Sequence, residues 1–263
     1  MGNTQYLAED IDGVIRRLDE VIEQSLAEGS RLALFACLYR AVTQRVKESI
    51  LAGRFEDGRR MERLDVIFAN RYLAAYDAYR RGDPCCQSWM AAFDAGRAWS
   101  PIILQHLLLG INAHINFDLG IAAAQTAPGA TLPGLKRDFD EISRLLGEML
   151  DDVQDRIAAV SPWMGLLDRV GARVDETICT FCLSASRDLA WEAAQRFAVL
   201  PAERHDEELD RLDRRVAALA RSIRNPGLYI SAALLIVRLR ETHTLERVVE
   251  ALTGTHHTAL VAA

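Results

Sequence analysis

The chain has 263 residues, half of them hydrophobic and 26% charged, with a formal net charge of −6. This length and composition suit a globular protein with a substantial core. An acidic balance with no basic stripe interleaved with aromatics argues against nucleic acid as the partner.

Apolar residues recur with helical period almost throughout. Leu7, Ile11, Val14, Ile15, Leu18, Val21, Ile22 and Leu26 predict a first helix that stops near Gly29. Helices are expected over Arg31–Gly53 and Arg59–Arg81, then a break at Gly82-Asp83-Pro84, with Asp83 as the N-cap of a helix over Cys85–Trp99. Ser100-Pro101 opens the next helix. The stretch Thr126–Gly134, with two Pro-Gly-type breakers, reads as the longest loop: a joint, or a lid beside a site. Beyond it come Leu135–Val160, a short helix from Ser161-Pro162, then Val174–Val199, a charged surface helix Ala202–Arg224, and a last apolar helix Leu228–Leu252. No strand alternation of useful length is present. The predicted fold is all-α, a bundle of about ten helices, with residues 1–252 as one domain and 253–263 as a tail.

The bundle is expected to form around Ser100–Ala124, which has no Lys, Arg or Glu and a single acid, Asp118. A helix apolar on nearly every side belongs in the middle of a bundle, and its His, Asn and Asp residues argue against a membrane span, which needs roughly 20 mostly apolar residues. It nevertheless carries His106, His114, Asp118, Gln105, Asn112 and Asn116, and buried polar groups are costly without partners. His114 and Asp118, one turn apart, share a face. They read as a structural pair, as two ligands of one zinc, iron or manganese ion, or as an acid/base pair. Gln105, Asn112 and Asn116, on the opposite side, read as interhelical hydrogen-bonding groups or as a small exposed strip.

A third group is expected from the Arg59–Arg81 helix. Asp65 falls inside its apolar stripe of Met61, Phe68, Tyr72 and Tyr76. A carboxylate there is a ligand, a general base, the acceptor that fixes a histidine tautomer, or half of a buried ion pair with Arg40 or Arg97. The leading expectation is an enzyme acting on a small, largely apolar molecule beside the central helix. His114, Asp118 and Asp65 would be its catalytic or metal-binding residues, and Tyr72, Tyr76, Phe117, His106 and Arg187 would contact the substrate. The alternative is a non-catalytic helical binding or scaffold protein. Apolar Leu228–Val237 either packs inside the bundle or forms a homodimer face.

Five cysteines (Cys37, Cys85, Cys86, Cys179 and Cys182), no dense framework and no signal peptide lead us to expect a cytoplasmic protein. Cys179-x-x-Cys182 lacks a second such pair and reads as helix packing.

Four stretches carry a resemblance. FEDGRRMERLDVIFANRYL (55–73), LLLGINAHINFDLG (107–120), LYRAVT (38–43) and SRDLAW (186–191) together resemble a bacterial family known as a domain of unknown function. That resemblance implies an all-α single domain and supplies no activity. The fragment His114-x-x-x-Asp118 is similar to a ligand helix of the zinc-dependent phospholipase C and nuclease superfamily, without the other ligands of that site. Asp151-Asp152-Val-Gln-Asp155 is similar to the aspartate-rich motif by which class I terpene synthases hold magnesium and a diphosphate, without a second magnesium motif.

Overall fold

The computed structural model describes residues 7–161, 183–242 and 244–253. Among them are eleven α-helices and no strand: α1 Ile11–Ala27, α2 Leu32–Leu51, α3 Gly58–Arg81, α4 Gln87–Arg97, α5 Ile103–Ile111, α6 Gly120–Thr126, α7 Lys136–Val160, α8 Leu183–Val199, α9 His205–Arg224, α10 Leu228–Arg240 and α11 Leu245–Thr253. The all-α class and the bundle are as predicted. A π-helical segment, Asn112–Leu119, joins α5 to α6, so the three form one central helix over Ile103–Thr126. That helix is long and apolar enough to cross a membrane, but 83% of its most apolar window is buried inside the bundle. The tail beyond Thr253, the helix expected after Ser161-Pro162, and Cys179 and Cys182 lie outside the described residues.

Local chemistry sets most boundaries. Asp10 caps α1 by accepting from the Gly13 amide at 2.6 Å, and Asp57 caps α3 by accepting from Arg60 N at 3.0 Å. Gly82, at φ 77°, closes α3 in the left-handed conformation that glycine adopts without strain. Two boundaries correct the expectations. Asp83 does not cap α4; it accepts from Arg81 Nε at 2.7 Å. Cys86 is extended, α4 starts at Gln87, and its first amides are held from another helix, Gln87 N and Ser88 N donating to Asp213 at 2.7 and 2.9 Å.

The expected helix 228–252 is also broken. Glu241 leaves helical geometry at ψ 152° and its carboxylate reaches back to the start of the central helix, accepting from Ile103 N at 2.8 Å and Ser161 Oγ at 2.6 Å. Thr242 N bonds Val160 O, which fixes the turn against the end of α7. The 126–134 stretch is not an open loop: residues Gly129–Leu135 form a 3-10 helix whose Leu132 and Leu135 are buried.

The main core gathers α1, α2, α3, α4 and α5 around Leu18, Leu34, Phe35, Tyr72, Trp89 and Leu109. Each large apolar side chain taken from water there contributes about 1.5–3 kcal/mol. A second cluster joins α3, α6, the 3-10 helix, α7 and α8 through Met61, Phe68, Phe139 and Ala194. The central helix runs between the two, and the π segment lies where they meet. α10 is left largely at the surface, with Leu228, Tyr229 and Ile236 exposed.

Candidate functional site

The π segment is held at both ends by close approach. At Gly110 a Cβ would come within 2.4 Å of the Phe35 ring, and at Gly120 within 2.5 Å of Ala190 O and 2.8 Å of Ala193 Cβ. Only glycine lets α2 and α8 come this near. Along one side of the segment, Asn112 Nδ2 donates to Val216 O of α9 at 3.0 Å, and Asn116 Nδ2 donates to Asn112 Oδ1 at 2.9 Å. Gln105 accepts from Ile102 N at 3.1 Å and donates to Ile223 O at 2.8 Å. Gln105 and Asn112 are interhelical bonding groups, whereas Asn116 bonds within its own segment. The π-helix is rare, occurs mostly as short bulges inside α-helices, and is frequent at functional sites.

Asp118 projects from the segment and is nearly inaccessible. Its Oδ1 accepts from Arg71 Nε of α3 at 2.7 Å and its Oδ2 from Trp89 Nε1 of α4 at 2.8 Å. The Arg71 guanidinium also lies 5.5 Å from the Phe117 ring centre. Neither Arg71 nor Trp89 was singled out from the sequence. The available signal was indirect: a lone buried acid on a helix without Lys or Arg requires a cation from a neighbour, and Arg71 stands at the edge of the α3 apolar stripe.

His114 is also buried and stands apart from that network. Its Nδ1 is 3.9 Å from Asp118 Oδ2, too far for a hydrogen bond. Among the described residues neither ring nitrogen makes a hydrogen bond, and the contact to Asp118 is one of charge at a distance. The ring is held by aromatic faces instead: stacked on Phe68 at 3.5 Å and 10°, and edge-on to Tyr39 at 4.2 Å and to Phe35 at 5.6 Å. Burial lowers its pKa, against the pull of Asp118, so the imidazole is neutral at pH 7.

Asp65 occupies the place in the α3 stripe that the sequence indicated. It is buried, and Oδ2 has no partner among the described residues. Neither suggested arginine reaches it: Arg40 bonds Asp19, and Arg97 lies over the Tyr79 ring. Burial, helped by the charge of Glu62, pushes its pKa up to about 7. Next to it the Tyr39 hydroxyl, close to that of Thr43, likewise has no bond in good geometry, and the phenol is pushed up by burial and by Asp65 and Asp118.

His106 has a different setting. Arg31 Nη1 lies 3.5 Å from its Nε2 and donates to Pro101 O at 3.0 Å. Burial, with Arg31 and Arg238 close by, lowers the His106 pKa to about 3. Tyr72 is packed in the main core against Phe35 and Trp89, and Tyr76 donates to Gln24 Oε1 at 3.3 Å. They do not line a pocket with His114, because the α3 stripe turns them inward against α4. Arg187 is buried under α7, donating to Phe139 O at 2.6 Å and to Ser143 Oγ, with its guanidinium 4.4 Å from the Phe139 ring centre. Trp191 meets the same ring at 5.0 Å, so Arg187 and Trp191 pack through Phe139. Asp152 and Asp155 are exposed, and Asp152 pairs with Arg156 of its own helix at 2.8 Å.

Two recesses flank the π segment. One, of about 130 Å³, is walled by Phe35, Leu38, Tyr39, His114, Leu146 and Met149 and is almost wholly apolar. The other is an open cleft of about 960 Å³ between α3, the start of α4, the π segment and α9, reached by Arg71, Trp89, Phe117 and Asp118. His114, Asp118 and Asp65 thus gather in one region, but they do not converge as ligands. The Asp118 oxygens already serve Arg71 and Trp89, and among the described residues no three His, Cys, Asp or Glu side chains are placed to hold a metal ion.

The similarity of His114-x-x-x-Asp118 to the zinc-dependent phospholipase C superfamily is not supported. No curated protein and no solved structure matches the chain. The family-of-unknown-function model DUF5995 matches residues 11–226, which span the bundle from α1 to the end of α9, the site included; the chain belongs to that family.

Proposed function

We propose that the protein is an enzyme that performs acid–base chemistry on a small, largely apolar molecule held against the π segment in the 130 Å³ recess. One observation carries this reading: His114, in the wall of that recess, has both ring nitrogens buried without a hydrogen bond, and Asp65, which stands behind the wall residue Tyr39, has Oδ2 in the same state. Each such atom costs about 1–3 kcal/mol, and buried polar groups left unpaired need a reason. The groups are also chemically complementary. Neutral His114 can accept a proton, and Asp65, with its pKa at about 7, can donate one. Elimination, addition or ring closure on an apolar skeleton needs one proton removed and one returned. Asp118, fixed by Arg71 and Trp89, orients the segment that carries His114.

A second reading, a non-catalytic binding protein, is favoured by the saturation of both Asp118 oxygens. One experiment separates the two. Small apolar compounds are screened by thermal shift against the wild type, and each hit is followed for turnover by mass spectrometry. Turnover by the wild type that is lost in Asp65→Asn, with binding retained, supports the enzyme. Hits that bind and are never converted establish the binding protein. Plasma mass spectrometry of wild type and Asp118→Asn tests the metal-ligand expectation separately: about one equivalent of a transition metal, lost in the variant, would replace the metal-free scheme.

A further inference from the structure

We propose that the open cleft on the other side of the π segment is a second binding site, which takes the carboxylate of an otherwise apolar molecule on Arg71. The guanidinium is fixed before any ligand arrives. Its Nε is committed to Asp118 Oδ1 at 2.7 Å, Asp118 is held in turn by the Trp89 indole at 2.8 Å, and the cation lies over Phe117 at 5.5 Å. Among the described residues Nη1 and Nη2 have no hydrogen-bond acceptor, and the side chain is 24% exposed at the base of the 960 Å³ cleft. A guanidinium with its Nε side occupied presents its two terminal nitrogens as a planar fork, the geometry that receives both oxygens of a carboxylate.

The rest of the cleft sets the ligand class. Ile67, Ala74, Ala78 and Leu209 give it an apolar wall, and its volume falls in the range of small-molecule sites. Asp210 and Asp213 also line it. Asp213 is absorbed by the α4 amides, at 2.7 and 2.9 Å, while Asp210 stands exposed. With Asp118 balancing Arg71, the cleft is net acidic. That field opposes a dianion such as a phosphate about twice as strongly as a monoanion, so a carboxylate is held against it by the directed hydrogen bonds of the Arg71 fork and by apolar contact. The site is independent of the acid–base reading, because neither His114 nor Asp65 reaches the cleft.

The test is calorimetric titration of the full chain with octanoate, octanamide, octylamine and inorganic phosphate. Octanoate should bind at least tenfold more tightly than octanamide, and phosphate should not bind. Arg71→Lys, which keeps a cation for Asp118 but loses the fork, should weaken octanoate at least tenfold. Ala74→Phe fills the cleft from α3 while keeping both charges of the Arg71–Asp118 pair, and should abolish binding even if Arg71→Lys fails to fold. Equal affinity for octanamide, tighter binding of octylamine, binding of phosphate, or octanoate binding that survives Ala74→Phe would each overturn the proposal.

Discussion

His106 and His114 lie two turns apart on one helix, both buried and both held neutral by burial. At the His106 end most polar groups find hydrogen-bond partners: Arg31 meets His106 and Pro101 O, Gln105 holds the end of α9, and Glu241 Oε1 caps Ile103, while Glu241 Oε2 makes no hydrogen bond and lies 3.8 Å from Arg238 Nη1. At the His114 end, Asp118 is satisfied while His114 and Asp65 are not. Residue type and burial are the same in the two regions; what separates scaffold from candidate site is the list of partners.

The largest effect should come from disturbing the satisfied end. Glu241→Ala removes the cap on Ile103 N and the acceptor of Ser161 Oγ, and takes away the carboxylate 3.8 Å from Arg238 Nη1, whose Nε goes on donating to Trp99 O. A loss of about 3–5 kcal/mol is expected, the scale for breaking a buried charge pair, read by urea denaturation. A loss below 1 kcal/mol would mean that this end is not a designed network.

Gly120→Ala comes next. The new Cβ would meet backbone, Ala190 O at 2.5 Å, and must push α8 away from the π segment. Overpacking of this kind costs about 1–3 kcal/mol. The shift in denaturation midpoint reports it, and a neutral result would show that the two helices are not in tight register there.

The sharpest comparison is the matched pair His106→Phe and His114→Phe. The first deprives Arg31 of a neighbour and should cost about 1–3 kcal/mol, as an orphaned buried polar group does. The second removes two nitrogens that make no hydrogen bond, keeps the stack on Phe68 and has the 130 Å³ recess to expand into. Its stability should be unchanged or slightly raised, while function at the recess is lost. Equal losses in the two variants would erase the distinction between the two ends.

The pH dependence is the smallest effect within any one pH unit, although it accumulates across the window. Asp65 titrates at about 7 when folded, against an ordinary value of 3.8. Between about pH 4 and 7 the folded state therefore holds a proton that the unfolded chain has released. This group's contribution is complete below about pH 4 and is lost as pH rises to 7, at no more than about 1.4 kcal/mol per pH unit. His106, with its pKa lowered to about 3, acts in the opposite sense, and so does His114: their contributions are present above about 6.5 and decline as pH falls. Asp65→Asn should therefore gain stability relative to wild type as pH rises through the window. A constant difference between the two from pH 4 to 7 would mean that Asp65 is not a buried protonated acid.

The helices were legible because the 3.6-residue period of buried positions is a local property, and Asp65 was legible because a carboxylate interrupts that period. The amides at 105, 112 and 116 were likewise readable as bonding groups. What sequence could not supply was fixed by contacts between distant elements. Glu241 breaks the last helix only because it reaches the start of the central one, and α4 begins late because its cap comes from Asp213 of α9. Asp118 finds its cation on α3, where Arg71 resembles any solvated arginine in the sequence. The π geometry of Asn112–Leu119 leaves no mark in the local residue pattern, since those residues would serve an ordinary helix equally well.

That π geometry has a consequence for register. Winding wider than an α-helix between two fixed points absorbs extra length, so the segment acts as a phase offset between the two halves of the central helix. If it relaxed to α-helical winding by one residue, everything beyond it would turn by about 100° and move by about 1.5 Å. The close approaches at Gly110 and Gly120 hold both ends against that slip. The offset therefore sets which of its side chains turn toward the recess and which toward the cleft, and a single-residue deletion within 112–119 would turn those on one side of the deletion by about 100° while leaving the composition of the helix almost unchanged.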